Sequence, residues 1–320
     1  MRISLLTGLA LLLALPLAAD DKWNAPKTAW GEPDVRGVWD YRTITPLERP
    51  KEMAGKAVLS DEEAAEYETS LVKTKDKDRR QNDGLTLQAD VANAYNEFWW
   101  DYGKTLTDDN RTSLIVDPPD GRIPALTAQG RKRYDAIRAA RARPPHSPVD
   151  RSVAERCILG FNAGPPYNPS AYNNNVHIFQ TPGFVVLLVE MVHDARVIPM
   201  DNRAHLPENM RQWRGDARGH WDGDTLVVES RNFTDKTSFR GSGKNLHLTE
   251  RFTRVANDQI IYEYTIDDPE SFTKPWTAAI PMVSNDQPMY EYACHEGNHS
   301  MATMLAGARA QENQAKTAED

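Results

Sequence analysis

The sequence contains little cysteine and few long hydrophobic runs, and each scarcity limits the classes of protein to consider. Cys157 and Cys294 are the only cysteines among 320 residues, so a single intramolecular disulfide is possible. After the first 19 residues, no stretch approaches the ~18 consecutive apolar residues that a transmembrane helix needs. We therefore expect no integral membrane segment once the N-terminal run has been removed.

Several common catalytic signatures are also missing. The sequence has no Gly-x-Ser-x-Gly elbow, no phosphate-binding glycine loop, no dinucleotide fingerprint and no Cys-x-x-Cys-His haem site, which disfavours nucleotide and covalent-serine chemistry. The chain also lacks an excess of positive charge, since 38 lysines and arginines against 46 aspartates and glutamates give a formal net charge of -8. Nucleic acids and anionic membranes are bound through positive fields. We therefore expect a small-molecule ligand and no nucleic-acid partner.

The N-terminus has the composition of a secretory signal peptide. Arg2 precedes an apolar run, Leu5–Leu15, and the small residues Ala18 and Ala19 follow it. This order predicts that residues 1–19 are a signal peptide and that the protein is periplasmic or secreted. Thiols are oxidised in those compartments, so we predict a disulfide between Cys157 and Cys294. Two unpaired buried thiols are the alternative.

Residues 20–145 are predicted to form an arm of strands and helices that packs on a larger unit. Val35–Arg42 alternates with a period of two, which is typical of a strand. Ser60 opens a capping box that predicts a helix. A further strand is predicted at Thr112–Val116 and a further helix at Gln129–Arg143.

Residues 146–299 are rich in short strands separated by turn signals, a pattern that favours a closed barrel or a sandwich. We predict a mainly β fold with peripheral helices, built as an antiparallel lipocalin-like (calycin-type) β-barrel. A C-terminal helix and polar tail are predicted for residues 300–320. The predicted strands are Val176–Gln180, Phe184–Pro199, Thr225–Ser230, Leu246–Val255, Ile260–Asp267, Trp276–Met282 and Met289–Cys294.

A distinctive motif occupies residues 213–229, which spell Trp-x-Gly-Asp-x-x-Gly-x-Trp-x-Gly-Asp-Thr-Leu-Val-Val-Glu. With the segments 111–122, 172–175, 232–237 and 290–298, it resembles a broad family of secreted bacterial proteins. The resemblance covers nearly all of the chain after residue 19. It implies export but no particular reaction.

Glu190 is the candidate catalytic carboxylate because it lies within a run, 184–196, that is apolar on both faces of a strand. A carboxylate buried in a barrel costs several kcal/mol unless it is paired or neutralised. A neighbouring histidine would supply the second group of a general acid–base pair. His177 and His295 are the candidates for that role.

Five further residues are candidates for substrate binding. Arg111 and Arg196 would stabilise an anion, and Trp99, Trp100 and Trp213 would form pocket walls. We expect no cofactor, with a divalent metal bound by histidines and carboxylates as the alternative.

His295 also begins a zinc-protease pattern, His-Glu-x-x-His, that ends at His299. That pattern requires a helix to bring the two imidazoles onto one face. Gly297 and Asn298 disfavour a helix at this point, so a metalloprotease is a weak alternative.

These observations lead to three functional hypotheses. The first is an exported enzyme, a lyase, isomerase or hydrolase, that uses carboxylate and histidine acid–base chemistry in a barrel cavity. The second is a non-catalytic, lipocalin-like carrier of a small hydrophobic or sugar-like ligand. The third is a structural protein of the cell envelope.

Overall fold

The computed structural model describes residues 23–75, 100–236 and 239–319. Within them, the chain forms a mainly antiparallel, lipocalin-like β-barrel with peripheral helices. The strands of this part of the chain are β1 Gly37–Asp40, β2 Ile115–Asp117, β3 Asn175–Thr181, β4 Phe184–Val189, β5 Asp194–Pro199, β6 Asp216–Asp222, β7 Thr225–Arg231, β8 His247–Ala256, β9 Gln259–Asp267 and β10 Trp276–Ser284. Its α-helices are α1 Asp61–Lys75, α2 Ala128–Ala142 and α3 Ser300–Glu319. The predicted signal peptide, 1–19, lies outside the described residues.

Nine strands follow one another around the barrel in the order β5-β4-β3-β1-β10-β9-β8-β7-β6, and neighbours in this order are antiparallel. β2 pairs with β10 off this path. β1 comes from the predicted arm, 20–145, yet it lies between β3 and β10. The arm therefore contributes a strand to the barrel itself.

The two ends of the path, β5 and β6, lie side by side but are not hydrogen-bonded partners among the described residues. Gly219 of β6 permits this approach. A Cβ on Gly219 would lie 2.4 Å from Met200 Sδ and 2.9 Å from Ile198 Cγ2, closer than ordinary van der Waals contact. The barrel is therefore nearly closed.

Large side chains fill the barrel interior. In β9, Ile260, Tyr262, Tyr264 and Ile266 are completely buried, and the residues between them are half-buried. Because side chains alternate across a strand, this period of two confirms the strand predicted for 260–267. Aromatic rings from other elements pack into the same core, namely Trp39, Tyr41, Tyr167, Phe252 and Trp276.

The single strand predicted for Phe184–Pro199 is wrong, because the structure divides it into the hairpin of β4 and β5. A 3-10 turn, Met191–His193, separates the two strands. Val192 and His193 adopt left-handed backbone angles, with φ of 65° and 52°. Such angles usually require glycine or asparagine, so a valine–histidine turn within an apolar run carries no recognisable turn signal.

Two further strand predictions differ from the structure. Met289–Cys294 is not a strand. Both edges of β10, the strand that precedes it, are paired with other strands, namely β9 on one side and β1 and β2 on the other. The sequence does not predict β6, because only two of its seven residues, Ala217 and Trp221, are apolar and they do not form the alternating pattern of a strand. It lies at the end of the strand path, where half-exposed polar side chains are tolerated.

The helices begin where the sequence predicts. Ser60 and Glu63 form a capping box at the start of α1, with Glu63 N donating to Ser60 Oγ at 3.3 Å and Ser60 N donating to Glu63 Oε2 at 2.9 Å. Thr127 caps α2. α3 spans Ser300–Glu319 and so includes most of the predicted polar tail. No helix among the described residues has the length and apolar character needed to cross a membrane.

The predicted disulfide between Cys157 and Cys294 is confirmed, with the two Cα atoms 5.7 Å apart. It joins the loop before β3 to the segment before α3. Asn298 Nδ2 donates to the carbonyl oxygen of Cys294 at 3.1 Å. The crosslink therefore fixes the C-terminal segment against the barrel.

Gly130 holds α2 against the barrel and gives a prediction about stability. A Cβ at this position would lie 2.4 Å from the carbonyl oxygen of Ser271, and backbone cannot move aside cheaply. We expect Gly130→Ala to lower the free energy of unfolding by about 1–3 kcal/mol through overpacking, as measured by urea denaturation. Gly307→Ala is the matched control.

Gly307 is exposed in α3, with no atom within 4 Å of the new Cβ. Alanine is the better helix former, so the control should be neutral or stabilising by up to about 1 kcal/mol. Equal effects of the two substitutions would contradict the proposed close contact between Gly130 and Ser271.

Candidate functional site

A buried ion pair occupies the barrel interior. Arg196 Nη2 donates to Glu250 Oε2 at 2.7 Å, and Arg196 Nη1 donates to Glu250 Oε1 at 3.1 Å. Arg196 is 6% exposed and Glu250 is 0% exposed. Burial by itself lowers the pKa of Arg196, but Glu250 opposes that effect and the net pKa is raised.

Hydroxyl groups complete this interior cluster. Tyr262 OH donates to Glu250 Oε1 at 2.9 Å. Arg196 also donates to Tyr167 OH at 3.3 Å and to Ser230 Oγ at 3.2 Å. Burial raises the pKa of Tyr262, which keeps its hydroxyl a hydrogen-bond donor. The sequence predicts that the guanidinium of Arg196 stabilises an anionic ligand. In the structure this guanidinium is paired with the carboxylate of Glu250 instead.

Glu190, the predicted catalytic carboxylate, lies at the end of β4 and is half-buried. Its Oε2 accepts a hydrogen bond from Asn175 Nδ2 at 2.7 Å. Asn175 Oδ1 accepts in turn from Asn285 Nδ2 at 2.9 Å. Because the turn after β4 breaks the strand, Glu190 and Arg196 do not share a strand face.

Of the two predicted histidines, His177 lies on β3 and His295 lies in the segment before α3. His177 is half-buried on β3, opposite in direction to the completely buried Val176 and Ile178. Burial lowers the pKa of His177. The centroid of its ring lies 3.8 Å from the centroid of the Phe179 ring. His295 is exposed, in a turn before α3. Neither histidine is hydrogen-bonded to Glu190 within the described part of the chain.

The predicted substrate-binding residues are also dispersed. Trp100 lines a cavity of about 340 Å³. Trp213 lines a different, mostly apolar cavity of about 170 Å³. Arg111 pairs with Asp109, at 3.3 Å between Nε and Oδ1. Trp99 lies outside the described residues.

The sequence leaves a divalent metal as an alternative. Among residues 23–75, 100–236 and 239–319, no group of three or more histidine, cysteine, aspartate or glutamate side chains is arranged to hold a metal ion. The segment 295–298 forms a turn and not a helix. The zinc-protease pattern therefore lacks its helical geometry.

A larger cavity, of about 410 Å³, lies beside the barrel between the N-terminal arm and the loop before β3. We call it the rim cavity. The arm contributes residues 43–47, α1 contributes Tyr67, Leu71 and Lys75, and the loop contributes residues 168–171. Tyr102, Leu114 and Arg240 complete the lining.

The charged groups that line the rim cavity are cations. Arg240 is exposed and forms no ion pair with a described residue. Lys75 Nζ lies 4.6 Å from the centroid of the Tyr102 ring, a cation–π distance. The described lining residues include no aspartate, glutamate or histidine. The charged side chains among the described lining residues are therefore both positive.

Asn168, which lines the rim cavity, carries a side-chain donor that has no partner among the described residues. Its Oδ1 accepts from Tyr264 OH at 2.8 Å, and burial raises the pKa of Tyr264, so the tyrosine remains a donor. Asn168 Nδ2 is buried without a hydrogen-bond partner among the described residues. An unsatisfied buried donor costs about 1–3 kcal/mol, and a ligand oxygen would remove that cost.

The sequence contains no signal that predicts the rim cavity. Lys75 belongs to a charged run, 73–80, of the kind typical of a solvated helix end. Arg240 and Asn168 belong to no periodic pattern or motif. They share a cavity only because the tertiary structure brings residues 43–47, 168–171 and 240 together.

The resemblance to secreted bacterial proteins stays a prediction. No protein-family model, no curated protein and no solved structure matches the chain.

Proposed function

We propose that this chain is an exported binding protein for a small, hydroxylated carboxylate of the sugar-acid class, which it holds in the rim cavity. The observation that carries the proposal is a cavity of about 410 Å³ whose described charged lining residues, Arg240 and Lys75, are cations and whose lining includes Asn168. Small-molecule sites commonly measure about 300–1,000 Å³.

The carboxylate of such a ligand would pair with Arg240. A guanidinium binds a carboxylate through two parallel hydrogen bonds, which makes arginine the residue of choice for this group. Asn168 Nδ2 would donate to a second ligand oxygen. Each contact uses a donor that has no partner among the described residues.

The remaining polar lining suits a hydroxylated ligand. Thr43, Thr45, Tyr67 and Ser170 all carry hydroxyl groups, which can both donate and accept hydrogen bonds. Leu71 and Leu114 add apolar surface. A few polar groups on a partly apolar wall is the usual composition of a small-molecule site.

Binding is better supported than the acid–base enzyme predicted from the sequence. General acid–base catalysis requires two titratable groups within reach of one substrate. Neither His177 nor His295 is hydrogen-bonded to Glu190 among the described residues, whereas the groups suited to binding line one cavity. The enzyme stays a prediction, because catalytic contacts can tighten when a substrate binds.

Export forms part of the proposal. A disulfide such as Cys157–Cys294 persists in the periplasm or outside the cell and is rare in the reducing cytosol. The composition of residues 1–19, which is that of a signal peptide, supports the same location.

Arg240→Gln tests the proposal. We expect the substitution to weaken binding of galacturonate or glucuronate at least about tenfold, because it removes a charge-assisted hydrogen bond. Galactose and glucose, which lack the carboxylate, should bind more weakly than the acids and should not respond to the substitution. Isothermal titration calorimetry measures both ligand classes.

Arg141→Gln is the matched control, since Arg141 is exposed on α2 and does not line the cavity. It should leave sugar-acid affinity unchanged. The proposed binding site is wrong if the wild type binds no sugar acid. It is also wrong if Arg240→Gln and Arg141→Gln change the affinity for sugar acids by the same factor.

A further inference from the structure

A second cleft, of about 290 Å³, lies at the surface where the loop before β6 meets the end of β7 and the start of β8. We call it the β7–β8 cleft. Its ionisable lining residues are Glu208, Arg211, Arg231, Lys244 and His247. None of these residues lines the rim cavity.

Backbone hydrogen bonds hold the cationic residues of this cleft together. Gln212 N donates to the carbonyl oxygen of Asn232 at 2.8 Å, and Thr234 N donates to that of Gln212 at 3.0 Å. These bonds tether the segment that carries Arg211 to the segment that carries Arg231. Arg211 Nη1 also donates to the carbonyl oxygen of Lys244 at 2.8 Å, which brings the third cation to the same cleft.

Most of the ionisable residues that line the β7–β8 cleft are cations. Arg211, Arg231 and Lys244 form no ion pair with a described residue, and Glu208 is the single carboxylate in the lining. Three cations and one carboxylate leave a formal charge of +2. Like charges that a fold holds together repel one another, and a bound anion relieves that repulsion.

His247 adds a buried nitrogen that has no hydrogen-bond partner among the described residues. Its Nε2 is buried and makes no hydrogen bond in the described part of the chain, although Glu229 Oε1 lies 3.5 Å away. Burial is the main cause that lowers the pKa of His247, and Arg231 and His205 lower it further. Glu229 and Asp267 act in the opposite direction. The ring is therefore held neutral in the absence of a ligand.

We infer that the β7–β8 cleft binds a tetrahedral oxyanion, phosphate or sulfate, either as the free ion or as the end group of an ester. Guanidinium groups match the oxygen geometry of such anions, and lysine contributes a point charge. Protonated His247 would supply a further donor. This site differs in position and ligand class from the rim cavity, so each can fail without the other.

Isothermal titration calorimetry of the full chain with sodium phosphate, sodium sulfate, glycerol 3-phosphate and sodium acetate tests this inference. We expect phosphate and sulfate to bind more tightly than acetate. Arg231→Gln should weaken that binding about tenfold or more. Arg240→Gln in the rim cavity and the control Arg141→Gln should change the affinity for phosphate and sulfate less than about twofold.

The comparison of glycerol 3-phosphate with phosphate identifies the form of the ligand. A tighter complex with glycerol 3-phosphate would identify an ester as the preferred ligand, and equal affinity would identify the free ion.

Sulfate also isolates the contribution of His247, because sulfate keeps its charge between pH 8 and pH 5.5, whereas phosphate does not. Sulfate affinity should increase as the pH falls through the lowered pKa of His247, and His247→Gln should abolish most of that increase. The inference is overturned if no oxyanion binds, if acetate binds equally well, or if Arg231→Gln and Arg141→Gln have the same effect. A pH dependence that survives His247→Gln would remove His247 from the site.

Discussion

Glu250→Gln is expected to lower the free energy of unfolding by about 3–5 kcal/mol, because it leaves the guanidinium of Arg196 buried without a counter-charge. Both side chains are almost completely buried, so water cannot solvate the remaining cation. Urea denaturation, followed by tryptophan fluorescence and circular dichroism, measures the loss.

A double variant distinguishes two contributions to the free energy of unfolding: the penalty of leaving one buried charge unpaired, and the net stabilisation that the intact ion pair provides. Replacing both charges in Arg196→Met/Glu250→Leu leaves no uncompensated ion, and buried pairs replaced by apolar residues are often neutral in stability. The double variant should therefore be more stable than Glu250→Gln alone. Tyr262, Tyr167 and Ser230 would each lose a hydrogen-bond partner, which limits the recovery.

Asp222→Asn is the matched control for an exposed pair. Asp222 Oδ2 lies 2.8 Å from Arg251 Nη2, but its side chain is 63% exposed. Pairs in water contribute about 0–1 kcal/mol, so this substitution should have a small effect. A cost of less than about 1 kcal/mol for Glu250→Gln would show that the interior pair is hydrated.

Removal of the disulfide is the second large effect. Cys157 and Cys294 are 137 residues apart, and the chain-entropy model assigns a loop of this length about 4–5 kcal/mol. The variant Cys157→Ser/Cys294→Ser should lose most of that stability. Urea denaturation measures the loss, and hydrogen exchange should be faster in α3, which follows Cys294 closely.

Reduction of the wild type provides the control. A thiol reductant should lower the stability of the wild type to nearly that of the double serine variant and should leave the variant itself unchanged. If the reductant lowers both equally, the loss does not arise from the disulfide. A double serine variant as stable as the wild type would contradict the loop-closure account.

The agreement between sequence and structure is closest where one local pattern specifies an element. The period of two in β9, the capping box at Ser60 and the presence of only two cysteines are all properties of neighbouring residues or of composition. They predicted a strand, a helix start and a crosslink without knowledge of the fold. The antiparallel barrel follows from many such strands joined by short turns.

The candidate site was much harder to predict. Glu190 and Glu250 both lie within predicted strands. The sequence favours Glu190 as the candidate because its flanking residues are apolar, whereas Thr249 and Arg251 flank Glu250. The structure places Glu190 at a strand end and Glu250 in the interior, because the valine–histidine turn after β4 redirects the chain and brings Arg196 opposite Glu250. A period of two shows that side chains alternate between the two faces of a strand. It does not show which of the two faces points into the barrel.

Strand content and the single crosslink could be inferred from the printed residues, since each depends on composition or on spacing along the chain. Export, which composition also suggests, stays a prediction. The pairing of Arg196 with Glu250, the rim cavity and the β7–β8 cleft required the folded chain. Their residues are separated by tens to hundreds of positions, and a linear pattern contains no information about which distant side chains meet when strands close into a barrel.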